Sequence, residues 1–133
     1  DSFVSRGLGD VYKRQISIKR NKITKDNLGF YDEISDIISK SNRPLLIFPQ
    51  GTRVLPNERP TFKKGASRIY EKLNIACQPV AINSGHVWPK LGKKKSGKTI
   101  TISIMPLIEE GIAKEIFLQD LEEKIYSELT LIS

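Results

Sequence analysis

Short apolar runs separated by segments of helical period constrain this chain more than any other feature. Leu45-Leu46-Ile47-Phe48 is continuous enough for a buried strand, as is Ile75 to Ile82. Ile100, Ile102 and Ile104 alternate with Thr101 and Ser103, which predicts a strand with one wet face. Around these runs, Phe30, Ile34, Ile37 and Ile38 repeat at helical spacing until Asn42 and Pro44 close the segment. Ala66, Ile69, Tyr70 and Leu73 mark a second helix, and Leu118, Leu121, Ile125, Leu129 and Ile132 form a stripe on a third. Gln15-Ile16-Ser17-Ile18-Lys19 alternates like a further short strand. Strand, helix, strand, helix, strand predicts an α/β fold with parallel crossovers.

The 133 residues suit a single domain without internal repeats. No apolar run approaches the roughly 20 residues of a membrane span, and the N-terminus offers no signal-peptide core. The one cysteine, Cys77, cannot form an internal disulfide and reads as a small core residue in a reducing compartment. A net charge of +7 favours partners that carry phosphate, whether nucleic acid, lipid or small molecule. Nucleic-acid binding usually adds aromatic platforms, and here only Trp88 stands outside the periodic apolar patterns.

Residues 1–15 show no clear period. The stretch Ser5-Arg6-Gly7-Leu8-Gly9-Asp10-Val11-Tyr12-Lys13-Arg14-Gln15 resembles a translated adaptor tail of the kind found at the ends of environmental sequence fragments. The expected organisation is therefore a non-native tail at 1–15 followed by part of a domain at 16–133, with the natural protein continuing upstream of Ile16.

Ligands in an α/β sheet gather at loops leaving the carboxyl ends of strands. After Leu45–Phe48 that loop is Pro49-Gln50-Gly51-Thr52-Arg53. Gly51 lets backbone approach a ligand, Thr52 offers a hydroxyl, and Arg53 offers a planar fork that matches phosphate oxygens in pairs. On residue types alone, an exposed turn bearing an arginine is the simpler reading.

The ordered string adds to this. Phe48-Pro49-Gln50-Gly51-Thr52-Arg53 resembles the Phe-Pro-Glu-Gly-Thr-Arg block of the glycerolipid acyltransferases, and of the lysophosphatidate acyltransferases in particular. Ile16-Ser17-Ile18-Lys19-Arg20 resembles an upstream block, Phe62-Lys63-Lys64-Gly65-Ala66 a helix-opening block, and Pro79-Val80-Ala81-Ile82-Asn83-Ser84-Gly85 a downstream Val-Pro-Val-Ala block. Trp88-Pro89 and the basic hairpin after it are similar to those of the bacterial enzymes. The resemblance implies a mixed α/β sheet flanked by helices, truncated at its N-terminus. It also implies acyl transfer from acyl-CoA or acyl carrier protein to the free hydroxyl of lysophosphatidate, giving phosphatidate at the cytoplasmic face of a bacterial inner membrane. Arg20, Gln50, Gly51, Thr52 and Arg53 would then bind the acceptor, with no metal or prosthetic group and no nucleic-acid partner. An anionic membrane surface is a further expected partner.

Two departures qualify the resemblance. Gln50 stands where the family has glutamate, which keeps the size and one acceptor oxygen but loses the charge. The family's His-x-x-x-x-Asp segment, in which histidine serves as general base and aspartate orients it, has no counterpart in these residues. The single histidine, His86, follows the last block and has Leu91 at the aspartate position, so it reads as a loop histidine near the rim of the site. The expectation is a chain that holds a phosphate without transferring an acyl group. The alternative is a non-catalytic basic module for phosphate, lipid or nucleic acid.

Gly92-Lys93-Lys94-Lys95-Ser96-Gly97-Lys98-Thr99 also fits the nucleotide-binding pattern Gly-x-x-x-x-Gly-Lys-Thr. That pattern requires a helix N-terminus after the loop, whereas Ile100 to Ile104 alternate like a strand, so a lysine-rich hairpin turn is predicted. Its five lysines, Lys90 to Lys98, read first as a solvated tip and secondarily as a contact for anionic headgroups or CoA phosphates.

Overall fold

The computed structural model describes residues 28–133, so the expected strand at Gln15–Lys19, Arg20 and the 1–15 tail lie outside the described residues. The chain divides into two compact units, Asp1–Arg43 and Pro44–Ser133.

In the first unit, α1 spans Leu28–Lys40. Ile34 is its buried residue, and Lys40 pairs with Asp36 one turn back at 3.0 Å. The helix stops just ahead of Asn42 and Pro44, as the pattern predicts. Proline disfavours helical geometry in the residue before it.

In the second unit, α2 spans Lys64–Leu73, β1 Val80–Ile82, β2 Ile102–Ile104 and α3 Lys114–Ile132; a single 3-10 turn, Ser84–His86, follows β1. Asn74 ends α2 in the left-handed conformation, its N–H donating to the Tyr70 carbonyl at 3.0 Å. The two strands are antiparallel, with Val80 opposite Ile104, Ala81 opposite Ser103 and Ile82 opposite Ile102. One further bridge joins Cys77 to Ile108. The chain is thus mixed α/β in the coarse sense expected, but the sheet among the described residues is an antiparallel pair and not a set of parallel crossovers.

One strand expectation fails and another holds only in part. Leu45–Phe48 is not in a strand, and Leu46 and Phe48 are exposed. An apolar run becomes a buried strand only where neighbouring strands take up its backbone groups, and no described strand lies beside it. Of Ile75–Ile82 only the last three residues form β1. Pro79, which has no N–H to donate, immediately precedes that strand.

The core consists of Phe62, Tyr70, Ile108, Phe117 and Leu121, with Cys77, Leu118, Ile125 and Tyr126 packed against it. Tyr70 and Phe117 stack at 3.7 Å between ring centroids, 5° from parallel. The Tyr70 hydroxyl donates to the Glu109 carbonyl and accepts the Ile112 N–H at 3.1 Å. These bonds satisfy the polar tip of a buried ring.

The sheet faces the opposite way from the simple reading of its isoleucines. Ala81 is fully buried, and Ser103 on the same face donates to the Glu128 carboxylate of α3 at 2.6 Å. Val80, Ile82, Ile102 and Ile104 are exposed on the other face. Alternation identifies two faces of a strand but not which one a helix will cover. Here the face that carries the small residues Ala81 and Ser103 is the one turned to α3. Glu128 of α3 thereby meets the sheet.

Candidate functional site

The loop from Phe48 to Lys63 is closed by its own backbone. The Gly51 N–H donates to the Phe48 carbonyl at 3.0 Å, and the Lys63 N–H donates to the Pro49 carbonyl at 2.8 Å. Gly51 has φ of +76°, and a Cβ there would come within 2.9 Å of Lys63 Cγ. Both the left-handed backbone and the close approach call for glycine. Farther along, Leu55 and Glu58 exchange bonds: the Glu58 N–H donates to the Leu55 carbonyl, and the Glu58 carboxylate accepts the Leu55 N–H, each at 3.0 Å.

The loop is tied to α3 through Tyr126. Gln50 Nε2 donates to the Tyr126 hydroxyl at 3.2 Å, and that hydroxyl donates to the Pro60 carbonyl. The Tyr126 ring packs edge-on against Phe62 at 5.0 Å, and the Arg59 guanidinium lies 5.5 Å from its centroid. Burial is the main influence holding the Tyr126 phenol above its ordinary value of 10.0; the Gln50 hydrogen bond opposes it, Glu122 adds to it and Arg59 opposes it.

These contacts sort the loop's basic residues. Arg59 donates to the Pro56 carbonyl at 2.6 Å and to its neighbour's carbonyl at 3.1 Å, so it serves the loop itself. Arg53 is exposed and makes no hydrogen bond or ion pair with any described residue. Thr52 beside it is exposed in the same way. With Lys63 and Lys64 close by in sequence and Glu58 the only acid between Phe48 and Lys64, the loop presents net positive charge. The helix α2 starts at Lys64 without a side-chain cap, adding the partial positive charge of its N-terminus. A cationic fork beside a hydroxyl, on a loop whose backbone is fixed elsewhere, suits an anionic group such as a phosphate.

Of the expected site residues, Gln50, Gly51, Thr52 and Arg53 fall on this one loop, while Arg20 lies outside the described residues. Gln50 is directed at Tyr126, a partner that sequence reasoning missed. Seventy-six residues separate the two, and no local pattern links them. His86 is exposed at the end of the 3-10 turn, and the neighbouring Gly85 sits against Pro56 of the loop, 3.4 Å from where a Cβ would be. The Gly92–Thr99 segment runs into β2, not into a helix, so it lacks the amide-lined helix start that a nucleotide-binding loop needs.

A family model described as Acyltransferase matches residues 4–83, more than half of the chain, including the Phe48–Lys63 loop, α2 and β1. A 1-acyl-sn-glycerol-3-phosphate acyltransferase from Pseudomonas aeruginosa is 36% identical over 62 residues, covering 47% of this chain and 24% of that protein. One from Saccharomyces cerevisiae is 33% identical over 82 residues, covering 59% of this chain and 27% of that protein. The chain thus spans about a quarter of the length of these curated relatives. No solved structure matches it.

Proposed function

This chain belongs to the acyltransferase family, and on that premise we propose that it supplies the acceptor-binding part of an enzyme that acylates lysophosphatidate to phosphatidate in phospholipid synthesis. The observation that carries the reading is Arg53. It is an exposed arginine without a described partner, on a glycine-shaped loop, within the matched region. Both relatives carry the name of an enzyme acting on 1-acyl-sn-glycerol-3-phosphate, which supports a phosphate monoester as the ligand of that loop. Arg53 would pair with two phosphate oxygens and Thr52 would donate its hydroxyl hydrogen to a third. Gly51 holds the turn. Arg20 carries the same assignment from sequence resemblance.

In the proposed reaction the acceptor hydroxyl attacks the thioester carbonyl of acyl-CoA or acyl carrier protein. A new ester C–O bond forms, the C–S bond breaks, and the hydroxyl proton passes to a base while the thiol leaves. Within these 133 residues the one histidine is His86, and Leu91 stands where an orienting aspartate would be. The 133-residue chain is therefore proposed to bind acceptor without turnover. The net charge of +7 supports a second reading, a non-catalytic basic module that binds phosphate, lipid or nucleic acid. Action at the cytoplasmic face of a bacterial inner membrane belongs to the first reading.

Calorimetric titration with short-chain lysophosphatidate below its micelle concentration tests the acceptor assignment. Binding is expected for lysophosphatidate and not for the matching monoacylglycerol, and Arg53→Ala should weaken it by about tenfold or more, as for loss of a charge-assisted pair. Equal binding of both lipids, or an unaffected Arg53→Ala variant, would remove the assignment. Release of CoA from acyl-CoA by the 133-residue chain, abolished in His86→Ala, would show instead that this chain carries its own base.

A further inference from the structure

The connection between β1 and β2 is a hairpin with a built base, not a slack surface loop. Asn83 closes it from both sides: its N–H donates to the Thr101 carbonyl at 3.2 Å, and its Oδ1 accepts the Thr101 N–H at 2.7 Å. Its side-chain Nδ2 donates to the Ile132 carbonyl at 2.9 Å, anchoring the hairpin to the end of α3. Above that base, the Trp88 N–H donates to the Ser84 carbonyl at 2.7 Å and the Lys95 N–H to the Val87 carbonyl at 2.8 Å. Gly92 at φ +97° and Gly97 at φ +72° make the chain reversals farther out.

What this frame displays is apolar at one point and cationic around it. Trp88 is 58% exposed and Leu91 72% exposed. Lys90, Lys93, Lys94, Lys95 and Lys98 are all exposed, and Lys94 Nζ lies 3.6 Å from the Trp88 ring centroid. No acidic residue occurs between Glu71 and Glu109, so nothing on the hairpin offsets its lysines.

We propose that this hairpin docks onto an anionic lipid surface, with Trp88 and Leu91 entering the boundary between headgroups and acyl chains and the lysines meeting lipid phosphates. An indole with an apolar body and one N–H is suited to that boundary. Lysine stems reach along apolar surface while their ammonium groups stay at the phosphates. The five cations lie within nine residues, so they act together on a charged surface. A single-stranded nucleic acid calls for successive aromatic platforms, whereas the hairpin has one aromatic ring with Lys94 over it. The inference stands apart from acyl transfer, and its test reads binding alone.

Trp88 is the only tryptophan of the chain, so its fluorescence reports directly on the hairpin. Vesicles of phosphatidylcholine with 30% phosphatidylglycerol, roughly the anionic content that creates a strongly negative surface, should shift its emission to the blue. Lipids brominated on the acyl chain should quench it. Pure phosphatidylcholine vesicles should do neither, and raising the salt to about 0.5 M should weaken binding. A Lys93→Glu, Lys94→Glu, Lys95→Glu variant, altered only at exposed positions, should bind at least tenfold more weakly with an unchanged far-UV spectrum. Leu91→Asp should reduce the bromine quenching. Absence of a shift with phosphatidylglycerol vesicles, or undiminished binding by the triple variant, overturns the proposal. So does a shift with coenzyme A or a single-stranded oligonucleotide in the absence of bromine quenching by vesicles.

Discussion

At Gln50 the side-chain amide nitrogen donates to Tyr126, and the tyrosine passes its own hydrogen to the Pro60 carbonyl. That polarity accounts for glutamine where the related block has glutamate. A carboxylate only accepts, so it would compete with Pro60 for the one Tyr126 hydrogen. Tyr126→Phe should leave both Gln50 and Pro60 short of a partner and lower unfolding stability by about 1 kcal/mol, read as a shift in urea midpoint. The same residue governs alkaline behaviour. Burial raises the Tyr126 phenol above 10.0, and burial raises the Cys77 thiol above 9.0. Each group holds its proton more tightly when folded, so its contribution is intact below its ordinary pKa and declines as pH climbs above it. The urea midpoint should therefore be insensitive to these groups near neutrality and fall in the alkaline range above about 9, less steeply in Tyr126→Phe. An identical alkaline slope in the variant would show that Tyr126 is not one of its causes.

Among the elements, α3 shows how far periodicity reaches. The stripe Leu118, Leu121, Ile125, Leu129 and Ile132 identifies a helix with an inner side, and the helix is there. Its most buried residues, however, are Phe117 and Leu121, because Phe117 meets Tyr70 and Leu121 lies in the same cluster. Helical spacing defines a face only to within about a residue, and the partner across the core decides where its centre falls. Phe117→Ala should cost about 3–5 kcal/mol through lost burial and an unfilled space, a large share of the stability of so small a core. A thermal melt followed by far-UV circular dichroism should show the transition broadened or abolished. The neighbouring Ile116→Ala, at an exposed position, should shift it by only a few degrees.

Across the whole molecule, the described layers cover one face of the β1–β2 sheet and leave the other open. Val80, Ile82, Ile102 and Ile104 are paired across the strands and exposed together, a denser apolar patch than scattered surface residues make. The chain should therefore enhance the fluorescence of the dye ANS in its native state, and an Ile102→Thr, Ile104→Thr variant should reduce that enhancement while keeping its melting transition. Unchanged dye binding in the variant would place the apolar patch elsewhere. No helix among the described residues is long and apolar enough to cross a membrane.

Sequence by itself determined the three helices of the described residues, the position of the Gly51 turn and the strand character that rules out a nucleotide-binding loop at Gly92–Thr99. Each of these depends on residues a few positions apart, where spacing and side-chain chemistry act locally. Tertiary structure decided the antiparallel pairing of β1 with β2, the outward turn of their isoleucines, the loss of the expected strand at Leu45–Phe48, and the tie from Gln50 to Tyr126. Those outcomes depend on which distant surface approaches which backbone. An apolar strand has two faces and two edges, and its own residues do not say which neighbour will take them.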